Sequence, residues 1–244
     1  MSLRLTMATT RRIIGQLRRD HRTLALVILL PALLMVLMRY VLDSKQTFEH
    51  VAPTLLAIFP FIVMFLVTSV ATLRERRSGT LERLMTMPIA KLDLLLGYAI
   101  AFGAFAVIQV GVVGGLCLFW LGLDVKGSLA LLLGIAVLDA LLGMALGLFV
   151  SAFARTEFQA VQAMPLFAGP QVLLSGLFVP RDHMAGLLTR FSDFLPLSYA
   201  VDALKLITNS ADVSGNLIRD IVVVAGCTVI ALVAGAATLK RRTA

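Results

Sequence analysis

Few side chains in this sequence can do chemistry, and their placement rules out most of it. The three histidines, His21, His50 and His183, all fall outside the long apolar runs, so no serine–histidine pair is expected within them. Ser175 precedes Gly176 and reads as a helix-packing feature rather than a nucleophile. Cys117 and Cys227 each sit inside an apolar run, where cysteine behaves as a small hydrophobe. Two such residues make neither a metal spacing nor a disulfide framework. The sequence has no G-x-x-x-x-G-K-S/T loop, so nucleotide hydrolysis by that route is excluded. The chain therefore reads as a non-enzyme, with no catalytic, cofactor or metal site.

The remaining polar candidates lie inside apolar runs. Asp139 sits near the middle of one such run, and a carboxylate there is costly unless it faces protein or a water-filled path. Two roles fit it: an interhelical hydrogen bond or a place on a transport path. Gln109 lies at similar depth in the neighbouring run as a candidate partner, and Gln171 lies in another run that also holds Pro165, Gly169 and Pro170. Gly111 with Gly115, and Gly143 with Gly147, have the small-xxx-small spacing of close helix contacts.

One insert is strongly charged. Arg74-Glu75-Arg76-Arg77-Ser78-Gly79-Thr80-Leu81-Glu82-Arg83-Leu84-Met85-Thr86-Met87-Pro88 separates two apolar runs. Ser78 and Gly79 can cap a short helix, Glu82 suits its first turn, and Pro88 stops it. Leu81, Leu84 and Met85 form an apolar knob ringed by charge, which suits docking into a groove on another protein. A solvated loop whose charges merely hold topology is the plainer alternative.

The elements that must carry these residues are membrane helices. Apolar residues make up 59% of the 244, only 15% are charged, and the mean hydropathy is +0.93. Six runs are long enough, or nearly so, to cross a hydrocarbon core of about 30 Å, near 24–42, 51–73, 94–121, 129–153, 163–179 and 217–239. Between the last two, 180–216 carries two helical stripes. Met184, Leu187, Leu188 and Phe191 form one, and Ala200, Ala203, Leu204 and Ile207 form the other, with Pro196 breaking between them. The expected fold is all-α: an integral membrane six-helix bundle with an N-terminal amphipathic interfacial helix over 1–22. A short re-entrant or amphipathic outer helical cap at 180–216 precedes the last span. The whole of 1–244 reads as a single transmembrane domain, with a cytoplasmic segment at 74–91 and a kink in the fifth span.

Charge sets the expected orientation. Arg4, Arg11, Arg12, Arg18, Arg19 and Arg22 precede the first span; Arg74, Arg76, Arg77, Arg83 and Lys91 follow the second. With Arg155, Lys240, Arg241 and Arg242, they place 15 of the 22 basic residues on one side. The positive-inside rule makes that side, with both termini, cytoplasmic, which predicts a multi-pass protein of the cytoplasmic membrane. The net charge of +8 is then a topology and lipid-surface signal, and no nucleic-acid partner is expected. The first span lacks a cleavage site and reads as a retained anchor. In the leader, Met7, Thr10, Ile13, Ile14 and Leu17 form a stripe opposite Arg11, Arg12, Arg18 and Arg19. Those arginines are expected to face anionic lipid, although a plain topogenic leader would also be basic.

Two motifs carry a family resemblance: R-E-R-R-S-G-T-L-E-R-L at 74–84 and F-L-P-L-S-Y-A-V-D-A-L-K at 194–205. With the six-span plan, they resemble the permease subunit of type 2 ABC exporters, the branch of daunorubicin-resistance-like drug exporters. The resemblance implies a homo- or heterodimer of permease subunits bound to two ATPase subunits that hold ATP and Mg. It implies an ATPase contact at Gly79, Thr80, Leu81, Glu82, Arg83, Leu84 and Met85, with the leader beside it. Pro196, Tyr199 and Asp202 then belong to an outer cap. Only 7% of residues are aromatic, which favours a hydrophobic drug-like or lipid-like cargo over a polysaccharide. An ion-coupled secondary transporter using Asp139 and a non-transporting membrane scaffold are the rival readings.

Overall fold

Serine, threonine and aspartate start five of the described helices, each accepting a hydrogen bond from a backbone amide in the first turn. The computed structural model describes residues 3–80 and 91–238. Asp20 caps α2 (His21–Leu42), Ser44 caps α3 (Lys45–Arg77), and Ser128 caps α5 (Leu129–Val150). Thr156 caps α6 (Glu157–Phe167), and Ser214 caps α10 (Gly215–Ala237). Each cap satisfies an amide that the helix itself leaves orphaned. The remaining helices are α1 (Leu3–Arg19), α4 (Lys91–Phe119), α7 (Gly169–Leu174), α8 (Gly186–Ser192) and α9 (Pro196–Asn209). A 3₁₀ turn, Arg181–His183, precedes α8. The described residues contain helices and no strand.

Among the described residues, five helices are long and apolar enough to cross a bilayer: α2, α3, α4 from Asp93, α5 and α10. The span expected at 163–179 is not one continuous helix. It is divided into α6 and α7 at Ala168, beside Gly169 and Pro170. Proline has no amide hydrogen to continue the ladder, so the chain breaks where the sequence concentrates Pro165, Gly169 and Pro170.

The core is built around α3. Two thirds of its most apolar stretch is buried within the protein, against 17% for α2. Phe48, Leu55, Leu56, Phe61, Met64 and Phe65 are all buried. Helix α5 runs beside α3 at close range. A Cβ on Gly143 would come within 2.3 Å of the Phe61 carbonyl oxygen, and one on Gly147 within 2.4 Å of that of Phe65. Gly111 and Gly115 do not share this role: a Cβ on Gly111 would meet nothing within 4 Å, and one on Gly115 only Phe119. Spacing was the same in both pairs; only one faces another helix.

Helix α3 continues past the apolar run near 51–73 to Arg77, so Arg74, Glu75, Arg76 and Arg77 are helical. Ser78 therefore ends α3, its amide donating to the Arg74 and Arg76 carbonyls. Gly79 follows at φ +71°, a left-handed conformation that glycine adopts without a side-chain penalty. Ser78 and Gly79 thus close α3, and Thr80, directly after them, is helical again; the short helix they were expected to cap lies otherwise outside the described residues.

Candidate functional site at the arginine-rich end

Glu75, in the last turn of α3, sits at the meeting point of three helices. Arg12 of α1 donates from both terminal nitrogens, to Oε1 at 3.1 Å and Oε2 at 3.0 Å. Tyr98 of α4 donates its hydroxyl to Oε2. Arg12 also reaches the Tyr98 oxygen at 3.4 Å. Gln16, one helical turn after Arg12, donates its amide to Oε1 at 2.8 Å when turned to satisfy both neighbours. The Glu75 side chain is 14% exposed and that of Arg12 27%. A bidentate arginine–carboxylate pair in such a half-buried site is among the stronger hydrogen-bonded contacts a protein makes.

Local packing explains why Arg12 arrives there. Helix α1 presses Thr6, Thr9, Thr10, Ile13 and Leu17 inward. A Cβ on Gly97 of α4 would come within 2.6 Å of Thr9. That close approach of α1 to α4 turns Arg12 away from lipid and toward Glu75. Burial works against the charge on Arg12, but the hydrogen bonds and charges of Glu75 and Tyr98 outweigh it and hold its pKa up. Arg11, Arg18 and Arg19 remain exposed. The expectation that all four arginines face lipid is therefore corrected for Arg12.

A second ion pair ties the neighbouring elements. Arg74 donates to both oxygens of Glu157 at 2.9 Å, joining α3 to the start of α6. Asp20 lies 3.9 Å from Arg74. The hydrogen bonds from Arg74 hold the Glu157 carboxyl below its ordinary range. Asp20 is lowered mainly by the hydroxyl and amide of Thr23. Between these pairs opens a cavity of about 550 Å³, lined by Leu17, Val67, Val70, Glu75, Tyr98 and Thr80 among others. Gly79 and Thr80 follow directly from this junction. Leu81, Glu82, Arg83, Leu84 and Met85 lie outside the described residues.

The other expected residues separate into two groups. Asp139 and Gln109 are both fully buried. Neither side chain has a hydrogen-bond partner among the described residues, so the interhelical bond between them is not made. Gln171 is a stitch: its amide donates to the Phe167 carbonyl at 3.1 Å and its oxygen accepts from Leu197 N at 3.4 Å. It bridges the break between α6 and α7 to the start of α9. Pro196 opens α9, the Tyr199 hydroxyl donates to the Asp193 carbonyl at 2.8 Å, and Asp202 accepts from Arg181. Ser175 donates its hydroxyl to the Val172 carbonyl at 2.8 Å. The junction residues Glu75, Tyr98 and Glu157 were not singled out by the sequence. The available signal was a lone carboxylate among three arginines, followed by a lone tyrosine near the same end of the next span.

The sequence profile of the ABC-2 type transporters matches residues 4–208, which takes in α1, the junction and the described helices as far as α9. The chain belongs to the ABC-2 type transporter family. Within that family it is similar to the probable multidrug ABC transporter permease YbhR of Escherichia coli (strain K12). The two are 29% identical over 181 residues, 73% of this chain and 49% of that protein. It is also similar to the linearmycin resistance permease protein LnrN of Bacillus subtilis (strain 168), at 27% identity over 159 residues, 64% of this chain and 41% of that one. ABC transporter G family member 20 of Dictyostelium discoideum is 25% identical over 162 residues, 66% of this chain and 22% of that protein. The chain thus spans about half the length of the curated relative YbhR. With its five candidate crossings, this ABC-2 type transporter chain is a multi-pass membrane protein.

Proposed function

We propose that the chain is the transmembrane subunit of an ATP-driven exporter that moves hydrophobic drug-like or lipid-like molecules out across the cytoplasmic membrane. Two copies of a separate ATPase subunit supply ATP and Mg, and a second permease subunit completes the dimer. The arginine-rich end faces the cytoplasm, and α6 with α7 forms a sixth, interrupted crossing. The names of the drug-permease relatives support a drug-like cargo. One observation carries the reading: Arg12, Glu75 and Tyr98 fasten three helices together, four residues before Gly79 and its neighbours. A push on the 79–85 segment by a closing ATPase then moves α1, α3 and α4 as a unit. A subunit that carries no nucleotide loop responds to ATP only through such differential contact.

Glu82→Lys tests the segment. Reversing the charge costs about 0.3–1 kcal/mol through the helix dipole at an exposed site, too little to unfold the bundle. At a packed protein contact, like charges cost several kcal/mol. Normal membrane insertion with lost ATPase pull-down and lost transport is expected. Unchanged pull-down and transport contradict the docking role.

Asp139 gives a second reading its footing, because both of its buried oxygens lack a hydrogen-bond partner among the described residues. In that reading the carboxylate lies on an ion or cargo path, and transport runs on a proton gradient without an ATPase.

A further inference from the structure

Helix α1 carries more arginines than its ion pair uses. Arg12 is spent on Glu75, but Arg4, Arg11 and Arg18 are exposed and make no ion pair among the described residues. Their even spacing along the sequence brings them into one stripe on a helix of 3.6 residues per turn. A second stripe is apolar: Leu3 is 81% exposed and Met7 51%, with half-buried Ile14 in line. It runs about 60° round the helix from the arginines. On its other side lies the face that turns Thr6, Thr10, Ile13 and Leu17 inward. From the bundle outward the order is buried, apolar, basic.

The position of α1 says what meets these stripes. It ends at Arg19, and α2, a candidate crossing, begins at His21. The Thr10 hydroxyl donates to the Gly97 carbonyl at 3.3 Å, and Gly97 lies about one turn inside the candidate crossing of α4, which starts at Asp93. Helix α1 is thus held at the level where a crossing enters the bilayer. Its rotation is held as well, by Thr9 against Gly97 and by Arg12 on Glu75. A helix fixed at that level, with an apolar stripe beside a basic one, sets its apolar side chains among acyl chains and its arginines among phosphates. We infer that this face of α1 is a docking surface for anionic phospholipid. Leu3 and Met7 enter the acyl region of the leaflet at the arginine-rich end, and Arg4, Arg11 and Arg18 gather headgroup phosphates. A choline headgroup carries its own cation, which offsets the charge of its phosphate. A glycerol headgroup carries none, so three unpaired arginines select the lipid of net negative charge. The surface stands on α1 alone and is independent of cargo and of how transport is powered.

Tryptophan quenching in bilayers of the full chain tests the assignment. Trp120 is the single tryptophan of the sequence, so Met7→Trp combined with Trp120→Phe leaves one indole, on the apolar stripe. The protein is reconstituted in equal parts phosphatidylglycerol and phosphatidylcholine, with bromine on the acyl chains of one lipid or the other. Bromine quenches only at close range. Quenching should be stronger with bromine on phosphatidylglycerol, corresponding to at least about fivefold enrichment of that lipid, the factor that one arginine supplies near an anionic surface. Aqueous acrylamide should leave the indole bright. Changing Arg4, Arg11 and Arg18 together to glutamine should bring the two lipid signals to equality. Salt at about 1 M, where the screening length falls to about 3 Å, should shrink the preference with the arginines still in place, and so tests the charge even where the glutamine variant fails to insert. Equal quenching by the two lipids at low salt in the arginine-bearing protein overturns the proposal. A preference that survives the glutamine changes in normally inserted protein overturns it too. Quenching by acrylamide instead of bromine would place this face in water, and quenching by neither would place a protein partner on it; either result contradicts a lipid surface.

Discussion

Arg12 and Glu75, 63 positions apart, meet through two hydrogen bonds of 3.1 and 3.0 Å, at the point where α1 crosses the end of α3. The contact fastens α1 to the frame of the bundle. A basic helix that only floated in the headgroups would have no such fixed address.

The first prediction follows from that contact. Hydrogen bonds to charged groups contribute about 1.5–3 kcal/mol each, and removing one partner strands the other. Glu75→Gln should therefore leave insertion intact and reduce transport about tenfold or more. Exchanging the pair, Arg12→Glu with Glu75→Arg, should recover more activity than either single change. Transport rates for the four proteins, read as a double-mutant cycle, check this. Additive losses would mean the two side chains do not work together.

A second prediction concerns packing. Gly143→Ala places a methyl 2.3 Å from the Phe61 carbonyl oxygen, so α3 and α5 must separate. Overpacking of this kind costs about 1–3 kcal/mol. Gly111→Ala, with nothing within 4 Å, should be neutral. Thermal unfolding in detergent should show a lowered midpoint for the first variant only.

The contrast shows what was legible in the sequence and what was not. Apolar runs announced the helices, and Pro165, Gly169 and Pro170 marked the broken one. Two glycine pairs with the same spacing could not be told apart, because spacing gives a face but not the neighbour on it. Charge concealed the end of α3: the apolar run stops before Arg74, yet Arg74 to Arg77 complete a helix whose last turn is fixed by Arg12 and Glu157. Glu75 was visible as part of a motif. Its partners were not, since Arg12 and Tyr98 come from distant parts of the chain. Asp139 and Gln109 are both buried in neighbouring helices, but similar positions along those helices did not make them partners.

The Arg74–Glu157 pair predicts a direction with pH. Glu157 titrates below its ordinary value because Arg74 hydrogen-bonds its charged form. The link therefore contributes fully above the unfolded carboxyl range, near pH 4.3, and is lost as pH falls through the lower folded value. The effect is small because both side chains are about half exposed. Thermal midpoints between pH 7 and pH 3 should fall more for the wild type than for Glu157→Gln. Parallel profiles would show that the pair does not contribute.

Asp139→Asn separates the two roles of the buried carboxylate. The amide keeps hydrogen-bonding capacity and cannot release a proton. Full transport of every tested cargo would reject a role on the path. Abolished or re-selected transport, with normal insertion, would place Asp139 on it.

Power source is the most direct test of the whole account. The purified chain is reconstituted in vesicles alone and with its ATPase, and movement of a hydrophobic cargo is followed with ATP or with an imposed proton gradient. The account predicts negligible ATP hydrolysis by the chain alone. It also predicts transport only when ATPase and ATP are both present, persisting after the gradient is collapsed. Transport by the chain alone, driven by the gradient, would contradict it.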